Sequence, residues 1–440
     1  MLIRSFHRIV LFAVGLTIFT QSITLVPGWV GLNKPITALL GASALLMLAT
    51  RATRFPRSPL HYWVLAMLFS VLLGIAIGFV YGTSPELLLR LGQSYVLVII
   101  FYFLVVVSLP SVSELRSLLW GVMVGGFVTS LTVILGLGTS GLSAVERTGG
   151  LAKDPNYYAI GAAVSIAIAV FLGLSSKRRT TQLLLLGACA VMLWGLGASL
   201  SRGGYLAFAC MAALFVYRYV GFRRMGFLVP VLIVAALSVP FLPDSIIERV
   251  TVFRTDGVLD SSIQNRLEQY ERSLEFFTSS PVWGVGLSRS GTSEAFGGAV
   301  GRQDLRALSA RRGGYSVIHN SYLVVAAEFG LLGLVPFMGI IVLSWIGFSR
   351  VIKSERWVSE AEAVDYRLLV NAASMMQIAM LGVLVGSIFL NAVRVKSVWM
   401  LFALSPVLVS MASAYLVNAR AEREVAELPG VGTPETSPVA

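Results

Sequence analysis

Charge is what this sequence has least of. Only 13% of its 440 residues are charged, against about 25% in soluble domains, which excludes an ordinary soluble fold. Cysteine is nearly absent. The two present, Cys189 and Cys210, both lie inside apolar runs, so neither a disulfide framework nor a thiolate metal site is available. They read as small apolar side chains. The three histidines are His7, His61 and His319. No Asp-x-Asp pair or His/Glu cluster occurs in the segments expected to face outward. A divalent-metal mechanism therefore lacks obvious ligands, and no metal or cofactor is expected. No internal repeat is visible, which withdraws support from an inverted-repeat transporter. A net charge of +12 would suggest nucleic acid in a soluble protein. Here the positive-inside bias of membrane proteins accounts for most of it, and no nucleic-acid partner is expected.

What the chain has instead is long apolar runs. Hydrophobic residues make up 56% of it, and its 42 glycines suit close helix packing in lipid. A spanning helix needs about 20 apolar residues. On that measure about twelve spans are expected, near 9–27, 35–50, 60–81, 87–109, 115–138, 156–175, 182–199, 203–220, 225–242, 319–348, 366–390 and 395–417. The fold class is thus an all-α polytopic membrane protein. Basic clusters such as Arg51, Arg54 and Arg57, then Lys177, Arg178 and Arg179, then Arg218, Arg223 and Arg224, all fall on one side of this scheme. That side is read as cytoplasmic, with both termini on it. Arg4 and Arg8 precede a long apolar stretch with no small-residue cleavage site, so the first segment reads as a retained span. The tryptophans Trp29, Trp63, Trp283 and Trp399 are expected in an interfacial belt.

The one large polar stretch runs from 243 to 318. It divides the chain into spans one to nine (1–242), a loop facing outward (243–318), spans ten to twelve (319–417) and a cytoplasmic tail (418–440) that reads as disordered. Acidic and basic residues are equal in number within the loop. Inside it, Ile263, Leu267, Tyr270, Leu274 and Phe277 recur at helical spacing and predict an amphipathic helix over 261–280, ended by Pro281. Arg266 borders that stripe. Gly284 and Gly286 form a lone Gly-x-Gly, too weak for a nucleotide site and read as a tight turn. Residues Ser201, Arg202, Gly203 and Gly204 read as an outer hairpin between spans seven and eight, with glycine supplying the permissive backbone.

Four outer-side residues could do chemistry: Arg202, Arg266, Arg289 and His319. Arginine presents a planar fork that matches phosphate oxygens and stays charged. Several of them near one cleft would hold a diphosphate. A neutral histidine can take a proton from a hydroxyl near pH 7. His319 taken alone also reads as a helix-start residue. Asn320 and Tyr322 follow it at the head of span ten. Lys153, Asp154, Pro155 and Asn156 read as a helix cap opening span six. Glu328, nine residues into span ten, reads as the partner of an arginine before it reads as catalytic. Arg394 and Lys396 read as interface anchors that could help hold phosphate.

Taken in order, Ser201-Arg202-Gly203-Gly204, Asn265-Arg266-Leu267, Ser280-Pro281 leading to Gly284 and Gly286, His319-Asn320 followed by Tyr322, and Glu328 followed by Gly330 and Gly333 resemble the O-antigen ligase and O-antigen polymerase superfamily. Asp154-Pro155-Asn156-Tyr157 fits many of its members. The resemblance covers about residues 145–350 by motif. It implies a GT-C type membrane glycosyltransferase of the bacterial inner membrane, with a large periplasmic loop and the active site on the periplasmic face. Such an enzyme moves a glycan from undecaprenyl diphosphate, with inversion and without metal, to a lipid A core or to a second lipid-linked glycan. By resemblance Arg202, Arg266 and Arg289 contact the diphosphate and His319 is the base. Ligases of the family often pair residues around that histidine, whereas its neighbours here are Ile318 and Asn320. The rival reading is a transporter or flippase of lipid-linked sugars, which should line a midplane path with charge.

Overall fold

Long apolar runs have to bury their backbone polar groups within themselves, which favours helix throughout. In the computed structural model, the regular structure among the described residues is helical but for one two-residue antiparallel pair, Arg254–Thr255 with Val258–Leu259. It describes residues 2–19, 33–53, 55–136, 150–152, 154–219, 254–255, 258–259, 261–287, 318–355 and 363–426. The helices are α1 (Leu2–Thr17), α2 (Asn33–Ala49), α3 (Leu60–Val80), α4 (Pro85–Ser108), α5 (Val112–Ile134), α6 (Pro155–Leu174), α7 (Arg179–Ala198), α8 (Arg202–Tyr219), α9 (Ser261–Ser279), α10 (Ser321–Ser354), α11 (Ala363–Gly386) and α12 (Lys396–Ala426). Among the described residues, eight helices are long and apolar enough to cross a membrane: α3 to α7 and α10 to α12. The chain is a polytopic membrane protein. The span expected at 225–242 and most of the 243–318 loop lie outside the described residues.

Several boundaries differ from the sequence reading, each for a physical reason. α1 starts at Leu2 rather than near residue 9 because its polar residues find partners. His7 bonds Ser43 Oγ at 3.0 Å and the Ser108 carbonyl at 2.8 Å, and Arg8 donates to Glu114 Oε1 at 3.0 Å. α12 continues to Ala426, past the expected start of the tail at 418. The sequence Asn-Ala-Arg-Ala-Glu-Arg-Glu-Val-Ala carries strong helix formers and no glycine or proline. Trp399 is not interfacial. It is fully buried, donates Nε1–H to the Val393 carbonyl at 2.6 Å and packs against Tyr102 and Phe402. Trp29 lies outside the described residues.

Helices α1 and α5 cross with their backbones in contact. A side chain at Gly121 would strike the Phe12 carbonyl, and one at Gly15 the Leu118 carbonyl. α6 packs between α7 and α11, α11 also carries α8, and α12 rests on α4 and α10.

The tenth helix is broken. Gly330 adopts φ 61 and ψ −154 inside it, a combination open essentially to glycine. The break frees backbone groups, and the segment from Pro281 to Leu287 supplies their partners. Leu331 and Leu332 donate to the Pro281 and Val282 carbonyls at 2.8 and 3.0 Å. Val285 and Gly286 donate to the Ala327 and Glu328 carbonyls at 2.9 and 3.2 Å, and Leu287 to that of Gly74 on α3 at 2.9 Å. The expected tight turn forms, Gly284 N–H donating to the Ser280 carbonyl at 2.9 Å, and its backbone is wedged between α3 and α10. A Cβ at Gly284 would lie 2.5 Å from the Glu328 carbonyl oxygen, and one at Gly330 equally close to that of Val282.

Gly330→Ala is expected to destabilise the protein by about 2 kcal/mol or more, from left-handed backbone and steric conflict. Gly187→Ala, whose new methyl meets nothing within 4 Å, serves as the control. Thermal melting of both variants in detergent checks this, and equal midpoints would dismiss the wedge as a stabilising feature.

Candidate active site

The connection from Ser387 to Val395, between α11 and α12, leaves helical geometry while its middle stays buried. Leu390, Asn391, Ala392 and Val393 are all 4% exposed or less. Side chains from three other elements satisfy its backbone. Ser321 at the head of α10 donates its N–H to the Ser387 carbonyl and its hydroxyl to that of Leu390, both at 2.8 Å. The same hydroxyl accepts from the Ala392 N–H at 2.8 Å. Tyr157 of α6 donates to the Asn391 carbonyl at 2.7 Å, and Tyr270 of α9 to that of Ile388 at 2.6 Å. The Phe389 ring packs under Gly203 at the start of α8 and lies 5.9 Å from the Arg266 guanidinium of α9.

The starts of α6, α8 and α10 therefore meet around this connection. Asp154 caps α6, its Oδ1 accepting from the Asn156 and Tyr157 N–H groups at 2.7 and 3.1 Å. Asn320 caps α10 in the same way, toward Tyr322 and Leu323 at 2.9 and 3.0 Å. Ser201 precedes α8; its hydroxyl accepts from Gly204 N–H at 3.2 Å and donates to Asn156 Oδ1 at 2.8 Å. Helix starts carry partial positive charge and suit anions. Arg202 is the first residue of α8. The expected glycine hairpin is not what forms here. The left-handed residue is Leu200, at φ 52. Gly203 and Gly204 lie inside α8, where lack of a side chain lets Phe389 and Ala159 approach.

His319 stands just before the α10 cap. Its N–H donates to Gln269 Oε1 on α9 at 3.2 Å, docking the loop helix on the spanning helix. Its ring is half-buried, and Nδ1 is enclosed without a hydrogen-bond partner. Burial first, and the neighbouring Arg266 cation second, hold its pKa below the ordinary value of 6.5, while the Asp154 carboxylate opposes them. The ring is thus neutral at pH 7. Arg202, Arg266, His319, Asp154 and Asn156 belong to one corner. Tyr322 and Asn320 are there too, but as fasteners: the Tyr322 hydroxyl is spent on the Leu384 carbonyl at 2.9 Å, and Asn320 on its cap. Glu328 is buried at the α10 break, where Tyr95 donates to it at 3.3 Å; the Tyr95 ring in turn faces Arg394 at 5.6 Å. Arg289 and Lys153 lie outside the described residues.

Sequence reasoning missed Gln269, Phe389 and Asn391. Phe389 and Asn391 sit at the expected junction of two spans, where nothing in a single sequence separates a buried connection from a span end. A cleft of about 560 Å³ also opens at the far end of α9, among Tyr81, Phe276, Ser279 and Trp283. Phe276 lies seven residues beyond Gln269 along α9, so the cleft is separate from the His319 corner. Among the described residues, no three His, Cys, Asp or Glu side chains gather as a metal site.

The fold and corner define a multi-pass membrane protein with cationic side chains and helix starts grouped around one neutral imidazole. Residues 187–338 match the family model described as O-antigen ligase. That match supports glycan transfer of the ligase or polymerase type. The match includes Arg202, Arg266, Arg289, His319 and Glu328 and leaves Asp154 and Asn391 outside it. A search of curated proteins finds no match.

Arg266→Ala should raise the His319 titration midpoint toward the ordinary histidine value, since a neighbouring cation is removed. Histidine NMR titration in nanodiscs reads this directly. An unmoved midpoint would place Arg266 out of electrostatic reach.

Proposed function

We propose that this protein transfers a glycan from an undecaprenyl diphosphate carrier to a hydroxyl acceptor, with inversion and without a metal. It does so at the periplasmic face of a bacterial inner membrane, with both termini cytoplasmic. The observation that carries the reading is the corner itself: an imidazole kept neutral beside Arg266, where three helix starts and Arg202 gather. Fixed cations and helix starts match a diphosphate, whose charge grows as it leaves. Arg202, Arg266 and Arg289 hold it. His319 takes the proton of the acceptor hydroxyl while that oxygen attacks the anomeric carbon from the face opposite the departing diphosphate.

Donor binding would also strengthen the base. A diphosphate against Arg266 offsets the cation that disfavours protonated His319, so basicity rises once the donor is in place. The acceptor is a lipid A core in a ligase and a second lipid-linked glycan in a polymerase. Both are polar sugar hydroxyls delivered from the periplasm, and the same corner serves either.

With purified protein and an undecaprenyl-diphosphate-linked oligosaccharide, His319→Ala should lose transfer by about a hundredfold or more while still binding donor. Arg202→Ala and Arg266→Ala should each weaken donor binding, by about tenfold for a lost charge-assisted contact. Wild-type turnover in the His319 variant would end the base role. Movement of intact donor across proteoliposomes, with no glycan transferred, would favour the flippase reading.

A further inference from the structure

Asp154 shares the corner with His319 without belonging to the loop or to the tenth helix. Tyr157, three residues into α6, bonds Asn391 at 2.7 Å, and Ser321, two residues after His319, bonds Leu390 and Ala392 at 2.8 Å. The capped starts of α6 and α10 therefore close on one tripeptide, Leu390–Ala392. The bond from Ser201 to Asn156, at 2.8 Å, brings the start of α8 against the same cap. Both cap hydrogen bonds of Asp154 fall on Oδ1.

The charges around His319 are unequal in sign. Arg266 on α9 is the cation whose charge reaches the ring, and Arg202 opens α8 at the same corner. Of the other carboxylates on these elements, Glu271 and Glu275 are exposed on α9, Glu268 turns to Arg272 at 3.9 Å, and Glu328 is held by Tyr95 at the helix break. Asp154 is the carboxylate whose charge reaches the imidazole and favours its protonated form. A base that accepts a proton here becomes a half-buried cation beside the Arg266 cation. That species needs an opposite charge nearby.

We propose that Asp154, besides capping α6, is a positioning residue that supplies the counter-charge for His319 once that ring has taken the acceptor proton. The inference rests on the reading of His319 as base. In the step, the acceptor O–H bond breaks and its proton passes to the imidazole. The oxygen forms the bond to the anomeric carbon, and the pair from the broken carbon–oxygen bond leaves with the diphosphate. Asp154 takes part in none of these bond changes. Nothing in the cap requires a charge, since asparagine and serine cap helices as well as aspartate does. A capping residue that is also charged beside the imidazole has a second use.

Asp154→Asn separates the two uses, with Asp154→Ser as a second neutral cap. Retained melting midpoints show that α6 stays capped. In nanodiscs, the His319 NMR titration midpoint, assigned with His319→Gln, should fall by about half a unit to one unit on losing the carboxylate. The acid limb of the transfer-rate profile should move to lower pH with it. The plateau rate should drop, by up to about tenfold for a full unit of lost stabilisation. A His319 midpoint that does not move overturns the proposal. A midpoint that falls while the plateau rate holds overturns the role in transfer. If His319→Ala proves active, the base reading fails by itself, and the NMR shift still reports whether the pair is coupled.

Discussion

Backbone groups that leave helical geometry inside a membrane bundle must find partners, because lipid offers none. This structure meets that demand twice, and its candidate site depends on both solutions. At Gly330 the tenth helix opens, and the backbone of Pro281–Leu287 enters to bond the exposed amides and carbonyls. Between α11 and α12 the buried connection is bonded by Ser321, Tyr157 and Tyr270. The first insertion fixes the far end of α9 and its following segment against α3 and α10. The second gathers the starts of α6 and α10 and the middle of α9 around one short stretch. Arg266 and His319 are held together as a consequence, with Gln269 tying their two elements.

Electrostatics then act on a frame set by packing. An imidazole at this corner is pushed toward its neutral form by burial and by Arg266, and pulled back by Asp154. Such a balance leaves the ring free to accept a proton and gives an incoming anion leverage over it. The cation that disfavours imidazolium, Arg266, would favour the proposed diphosphate. In the proposed reaction, donor binding and base strength would therefore be coupled through one guanidinium.

Much of this could be read beforehand, and the reasons are local. Asp154 followed by Pro155 announces a helix start because the cap and the fixed proline φ are properties of two adjacent residues. The stripe from Ile263 to Phe277 announces a helix because periodicity needs no partner. Arg202, Arg266 and His319 stood out as polar groups beside apolar runs. Other readings fell short where a partner elsewhere decides the outcome. Gly284 and Gly286 read as a turn, yet the groups that exclude a side chain there belong to Glu328 and Phe329 at Gly284, and to Gly74, Ile77 and Gly78 at Gly286, all far away in the chain. Trp399 read as interfacial, yet Val393, Tyr102 and Phe402 enclose it.

By itself the sequence determined that this is a helical membrane protein, where most of its helices lie, and which few polar residues stand at one end of them. Composition and period suffice for that, since lipid tolerates so few alternatives. Only the tertiary structure decided which of those residues meet. It broke one helix, buried one connection, and placed the cap of the sixth helix beside the imidazole before the tenth. Each of these joins groups far apart in the chain through single hydrogen bonds between unlike elements. No repeat or spacing in the sequence encodes such a meeting; it follows from where unsatisfied backbone could find a partner.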